Sequence, residues 1–481
     1  MSRHSLRLVV FALVAGWFAG HAAAPGRSKL GLHLLSSYTA GAAAVDAAHP
    51  RVVKILGTDS TMLRAAREYK TGTPQGLVVL RVYTTLRWTL ADNPALAGSN
   101  FWSRVLAPAL SPLSAADRAL INYVEGPNEA DSTPAWGSLA EAKWFNEFWV
   151  VLGRLIRDNG FRPCSFSIPV GNPGGSDAEV KQALAAIVPA LRVCFNTGGA
   201  WSYHAYTTAY SQDPGVEYWY SLRYRQYYAY FANSYPDLSD LPLLLTEGGV
   251  DNGHGWNWPA NGNAARYQTW LAWFDQQIRQ DAPVLGVTLF QSGDTGAQWQ
   301  SWETEPITPW LKTNLLNQPL TSPMLALSPG LLEVVATVGT APAQATFTIR
   351  NVGSGSGGYT MTTTAAWMNV TPTFGTVSTQ ANQATVTCTV GSLAPGSYYG
   401  VIKVKCSSAS PVLQTIPVRL TVVPRLAISP HGAALWLQWT GAVRSLESAA
   451  GVAGPWQRTV NPISPYVVTP SAAQACFRFG P

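Results

Sequence analysis

The chain has 481 residues, enough for two to four domains and a large core. Only 12% of them are charged, 11% are aromatic and the formal net charge is +6, which excludes a disordered chain and leaves no strong basic footprint for nucleic acid. Five cysteines are too few for a disulfide scaffold, and no Cys or His spacing fits a zinc site.

Met1–Ala24 reads as an export signal. Arg3 and Arg7 form a basic start, Leu8–Phe18 an apolar run and Ala22-x-Ala24 a small-residue cleavage site. The apolar run is too short to span a bilayer. Its removal takes away two arginines and no acids, so the net charge falls from +6 to +4. The expected location is secreted, periplasmic or cell-surface, where disulfides are permitted; Cys164–Cys194 is the first pair to test.

From Lys29 to about Leu316, short apolar runs alternate with amphipathic stretches. The expected strands are Leu30–Leu35, Val52–Leu56, Leu77–Tyr83, Leu120–Glu125, Ser165–Val170, Trp201–Tyr206, Leu243–Glu247 and Leu285–Gln291. Helices are expected at Ala42–Ala48, Met62–Tyr69, Leu139–Asn159, Asp177–Leu191, Val216–Asn233 and Ala264–Asp281. Ser138-x-x-Glu141 reads as a capping box. Eight strands alternating with helices indicate an α/β fold, a (β/α)8 TIM barrel over residues 25–318. The alternative is an open doubly wound sheet, but no Gly-rich phosphate loop follows any strand.

A linker at 319–324 precedes a change of texture. Residues 325–423 are rich in Thr, Val, Gly and Ser, with alternating runs and recurrent turn signals, the pattern of an antiparallel β-sandwich. Trp367-Met368-Asn369-Val370-Thr371-Pro372-Thr373-Phe374-Gly375, followed by Pro395-Gly396-Ser397-Tyr398-Tyr399-Gly400, resembles an immunoglobulin-like BACON-type module, which implies either a spacer or a sugar binder. Residues 424–481 carry a further β pattern that resembles small C-terminal β modules of exported bacterial proteins, with Trp439 and Trp456 expected to pack.

Two stretches carry chemistry. Tyr123-Val124-Glu125-Gly126-Pro127-Asn128-Glu129 and Leu243-Leu244-Leu245-Thr246-Glu247-Gly248-Gly249 each end an apolar strand with a glutamate. In a barrel all C-terminal strand ends open into one mouth, so Glu129 after strand four and Glu247 on strand seven converge. Paired carboxyl groups across a glycosidic bond supply a proton for the leaving oxygen and a partner for the developing cation. Here the chain resembles the retaining glycoside hydrolases of clan A, the four/seven superfamily. The resemblance implies Glu129 as acid/base, protonated near neutral pH, and Glu247 as ionised nucleophile. It further implies Asn128 as donor to the neighbouring sugar hydroxyl, and His204-x-Tyr206 ending strand six, with Tyr206 holding the nucleophile.

Departures from that pattern are visible. Strand two offers Lys54 where the clan has an arginine, with Arg81 of strand three as a substitute. Strand eight ends in Phe290-Gln291-Ser292 rather than a tryptophan, so Gln291 or Trp299 would cover that role. Glu125 reads as a buried supporting group, and His33 as either a substrate contact or core packing. Nineteen tryptophans leave some free for sugar stacking; Trp256 and Trp258, on a Gly/Asn loop, are the expected platforms. The expected partner is a β-linked poly- or oligosaccharide, cleaved with no cofactor, metal, nucleic acid or membrane span, by a monomer. The alternative is a non-catalytic carbohydrate-binding or surface-adhesion protein on the same scaffold.

Overall fold

A computed structural model describes residues 27–251, 257–260, 262–316, 322–439, 445–469 and 475–480. The export segment expected at Met1–Ala24 and Trp256 lie outside these residues. Eight parallel strands form a closed barrel in sequence order: β1 (Leu30–Leu34), β2 (Val52–Leu56), β3 (Leu77–Arg81), β4 (Tyr123–Glu125), β5 (Pro163–Ile168), β6 (Ala200–Thr207), β7 (Leu243–Val250) and β8 (Val284–Ser292). Strands β5 to β8 are buried along their whole length. Burial on both faces is why they read as continuous apolar runs rather than alternating ones. The TIM barrel expected from the sequence is therefore present.

The surrounding helices follow from apolar periodicity and caps. In Leu139–Asp158, residues Ala142, Phe145, Trp149, Leu152 and Ile156 recur every three or four positions and are buried. Ser138 accepts from the Glu141 N–H, but the reciprocal box forms at Ser176 and Glu179, at the start of Asp177–Asn196. Two elements differ from expectation. Leu120 belongs to a short helix, Ala115–Leu120, because the Ser114 hydroxyl caps the Asp117 N–H and nucleates a turn; β4 is only three residues long. The stretch Val216–Asn233 is broken, with helices at Pro214–Glu217 and Tyr224–Ser234. The buried Glu217 carboxylate accepts from Thr207, from the Ser221 N–H and from the Ser221 hydroxyl, pinning the chain into a turn between them.

Beyond the barrel, β9 (Leu325–Ser328), β10 (Leu332–Thr337), β11 (Ala343–Asn351), β12 (Gly357–Thr363), β13 (Met368–Thr371), β14 (Phe374–Val377), β15 (Asn382–Cys388), β16 (Gly396–Lys405) and β17 (Leu413–Val423) make a sandwich. Its sheets run β10-β17-β16-β12-β14 and β13-β15-β11-β9 around one apolar core. Six short strands between Ala427 and Gly480 make two small sheets over Leu437, Trp439 and Leu446, with Trp439 edge-on to Phe479 and Arg478 over the Trp456 ring. The sandwich docks on the barrel: Val401 joins the barrel core, Lys403 pairs with Asp240 at 2.8 Å, and Arg162, just before β5, donates to the Gly330 carbonyl. That end is opposite the C-terminal mouth of the barrel.

Cys164 and Cys194 are not bridged; both are buried free thiols, and the Cys194 thiol donates to the Ala200 carbonyl at 3.2 Å. Burial pushes the Cys194 pKa up to about 12 and raises that of Cys164 as well. Both are expected to resist iodoacetamide in the native protein and to alkylate after unfolding without reductant. Intact mass before and after reduction checks this, and a gain of two hydrogens from this pair would contradict it. Among the described residues no helix is long and apolar enough to cross a membrane.

Candidate active site

At the C-terminal ends of the strands opens a cleft of about 870 Å³, whose lining includes Arg81, Asn128, Glu129, Tyr206, Glu247 and Trp299. Glu247 is held from all sides. Its Oε1 lies 3.2 Å from Lys54 Nζ and 3.2 Å from Arg81 Nη1, while Tyr206 donates its hydroxyl to Oε2 at 3.0 Å. The β6–β7 register shifts between Tyr203 and His204, which brings His204 level with Glu247, its Nδ1 3.6 Å from Oε2. Burial alone would raise the Glu247 pKa; the positive charges of His204, Lys54 and Arg81 outweigh it and hold the carboxyl well below its ordinary range. Glu247 is thus ionised at neutral pH. Burial beside Glu247 pushes the Tyr206 pKa well up, so its hydroxyl stays a donor.

Glu129 stands differently. The chain leaves β4 through Gly126, where a Cβ would come within 2.6 Å of the Trp149 ring, so only glycine lets the backbone pass. It then enters a left-handed conformation at Glu129, φ +41°, strain of roughly 1–2 kcal/mol for a non-glycine residue. The Glu129 N–H donates to the Ser167 carbonyl, which fixes the turn. Its side chain keeps 31% of its surface exposed against 7% for Glu247, so Glu129 is the more accessible of the two carboxyl groups lining the cleft. Glu129 Oε1 is 2.6 Å from His204 Nδ1, and oxygens of Glu129 and Glu247 lie within 4.8 Å of one another. Burial opposes a charged His204 ring, but the Glu247 and Glu129 carboxylates outweigh it and raise its pKa.

Below the cleft a buried polar network extends the site. Lys54 Nζ also reaches Glu125 Oε2 at 2.8 Å, and Glu125 Oε1 accepts from Ser202 at 2.9 Å and Ser167 at 3.1 Å. Burial opposes ionisation of Glu125, yet Lys54 lowers its pKa overall. His33 is fully buried, its Nδ1 3.7 Å from Glu247 Oε1 and its ring against Phe290. Burial and Lys54 push its pKa well below the ordinary value, so the ring is neutral. It lies beneath Glu247 rather than in the cleft wall.

Other expected site residues fall in two groups. Asn128 lines the cleft and donates to Asp131 Oδ2 at 3.0 Å; the same oxygen takes Arg81 Nη2 at 3.3 Å. Trp299 lines the opposite wall, 39% exposed, braced edge-on by Phe290 and Trp302. Gln291 is buried and acts on that wall indirectly, donating Nε2–H to the Trp299 carbonyl. Trp258 departs from expectation: its ring stacks on Tyr267, its indole N–H donates to the Glu303 carbonyl, and only 8% of it is exposed. A π-face already covered by Tyr267 is not free for a ligand.

Ser167, Ser202 and Asp131 carried no expectation from the sequence. Ser202 had a signal, since period-two alternation puts it on the same face of β6 as His204 and Tyr206. Glu129, His204 and Glu247 bring donor atoms close enough together for a metal ion to bridge. Lys54 and Arg81 already sit on Glu247, and a further cation there would meet their repulsion.

Residues 324–417 match the family model described as a viral BACON domain, in line with the resemblance noted for this region. No curated protein matches the sequence. Among solved structures, the chain is similar to the full-length tri-modular endo-β-1,4-glucanase B from Bacillus halodurans, 9% identical over 89% of this chain and 85% of that one, TM-score 0.36. It is similar to a GH5-4 broad-specificity endoglucanase from an uncultured bacterium, 11% identical over 52% and 75%, TM-score 0.34. It is also similar to a GH128 subgroup II endo-β-1,3-glucanase from Pseudomonas viridiflava, 13% identical over 57% and 90%, TM-score 0.32.

Proposed function

We propose that this protein is a secreted retaining glycoside hydrolase that cleaves β-linked poly- or oligosaccharides by double displacement. The observation that carries the reading is the Glu129–Glu247 pair, with oxygens within 4.8 Å across the barrel mouth. Retaining enzymes hold their carboxyl groups about 5–5.5 Å apart, and inverting ones about 6.5–9.5 Å to admit a water. Export rests on the Met1–Ala24 segment.

In this reading Glu247, ionised and steadied by Lys54, Arg81 and Tyr206, attacks the anomeric carbon as the bond to the leaving oxygen breaks. Glu129 donates its proton to that oxygen, then accepts one from the water that opens the glycosyl-enzyme. His204, hydrogen-bonded to Glu129 and close to Glu247, orients both carboxyl groups. Asn128 and Arg81 meet the sugar beside the cleaved bond, and Trp299 offers a face for stacking. Trp299→Ala is expected to raise KM for an oligosaccharide roughly 3- to 10-fold with kcat little changed. Steady-state kinetics check this, and a loss confined to kcat would place the ring elsewhere.

The test uses a polysaccharide panel with the wild-type chain and with Glu129→Gln and Glu247→Gln. Both variants are expected to lose turnover, and early NMR spectra of wild-type products are expected to show the β-anomer first. The α-anomer first means inversion; unchanged turnover in both variants removes the enzyme reading.

A further inference from the structure

At the opposite end of the barrel from the cleft, a cavity of about 190 Å³ lies between barrel and sandwich. The barrel supplies Arg27, Arg51, Lys70 and Arg162 to its wall; the sandwich supplies the turn around Ser410 and the start of β17. No aspartate or glutamate is among the lining residues, and none occurs in residues 1–26 or 317–321, which flank Arg27 and Ser322 in the chain. Elsewhere on the barrel arginines pair with acids, as in Arg67–Asp117, Arg192–Asp237 and Arg225–Asp281.

The four cations here are anchored on neutral acceptors instead. Arg27 donates to the Ala48 carbonyl at 3.4 Å, Arg51 to the Ser410 hydroxyl at 3.4 Å, Lys70 to the Gly76 carbonyl at 2.5 Å and Arg162 to the Gly330 carbonyl at 2.5 Å. These bonds fix the positions of the side chains without cancelling their charge. Asp275, whose charge acts on Arg51, is not in the cavity wall; it accepts from the Ser28 hydroxyl at 3.0 Å and the Lys29 N–H at 2.8 Å. Burial pushes Arg51 down to about 10, and burial with the nearby Arg162 pushes Lys70 down to about 8.

We propose that this cavity is a binding site for a tetrahedral oxyanion, phosphate or sulfate, that pins the sandwich to the base of the barrel. Guanidinium forks match the edges of such an anion, and a lysine ammonium adds a point charge. Arg51 and Arg162 already touch the sandwich through Ser410 and Gly330, so an anion between them ties both bodies together. A ligand that binds only the folded, docked state stabilises it by mass action.

The full-length protein is titrated calorimetrically with inorganic phosphate, and separately with sulfate, at constant ionic strength set by sodium chloride; thermal melts are recorded under the same conditions. Saturable binding and a Tm several degrees above the chloride control are expected. Arg51→Gln and Lys70→Gln are each expected to weaken binding at least about 10-fold, a loss on the scale of one charge-assisted hydrogen bond. Saturable binding of either oxyanion supports the site. Phosphate and sulfate that behave as chloride does, or variants that bind as tightly as wild type, overturn it. If Arg51→Gln fails to fold, Lys70→Gln and the wild-type titration decide.

Discussion

Replacing Lys54 with methionine is expected to destabilise the protein by about 3–5 kcal/mol at neutral pH, the cost of removing one partner from a buried ionic group. Lys54 is fully buried and its ammonium bridges two carboxylates, Glu125 at 2.8 Å and Glu247 at 3.2 Å. Methionine fills much of the space but leaves both acids in low-dielectric surroundings with less compensation. The pH dependence separates charge from packing. In the wild type both carboxyl groups have pKa values lowered from 4.5, so their stabilising contribution is complete above that value and is lost as pH falls through it toward the folded pKa. The methionine variant has less of that contribution to lose. The gap between wild type and variant is therefore widest near pH 7 and narrows as pH falls through about 4.5. Urea unfolding at pH 7 and pH 4 measures it. An equal gap at both values would mean that Lys54 acts by packing alone.

The barrel was legible because parallel strands buried on both faces leave short apolar runs between helical periods, and every one of β1 to β8 overlaps an expected strand. Misreadings came where a polar side chain acted locally against the pattern. Ser114 capped a turn that drew Leu120 into a helix, and Glu217 broke a stretch whose aromatic spacing looked continuous. The positions of Glu129, His204, Tyr206 and Glu247 at strand ends were readable, but the partners of those groups were not. Lys54 meets Glu247 across 193 residues of sequence, and only closure of the barrel through β1 and β8 brings β2 within reach of β7. The lysine that looked like a departure on strand two and the arginine on strand three share one oxygen of Glu247. A compact ammonium can also serve Glu125, which a bulkier guanidinium in that fully buried position would do less readily. Trp258 shows the opposite error. Its Gly/Asn setting suggested a free platform, while Tyr267, in the helix Ala264–Gln280, captures its face.

The roles proposed for the two glutamates are separable by stereochemistry, and here the largest effects on activity are expected. Glu129→Ala should lose about 10²–10⁴-fold in turnover of a natural glycan, whose leaving oxygen needs a proton. It should still release dinitrophenol rapidly from the matching aryl β-glycoside, because that phenolate leaves unprotonated, and then stall as a glycosyl-enzyme. Azide, which needs no general base, occupies the space beside the missing carboxyl and displaces Glu247, so the product is the β-glycosyl azide. Glu247→Ala should lose turnover of both substrates. Lys54 keeps Glu125 as its partner at 2.8 Å in that variant, so the loss is expected without unfolding, as a thermal melt will show. Azide then enters the gap left by Glu247 and attacks the sugar directly, giving the α-glycosyl azide in a single inversion. The two products differ only in anomeric configuration, which proton NMR reads at once. The same configuration from both variants, or rescue of neither, would remove the division of labour proposed for the partly exposed Glu129 and the cation-bound Glu247.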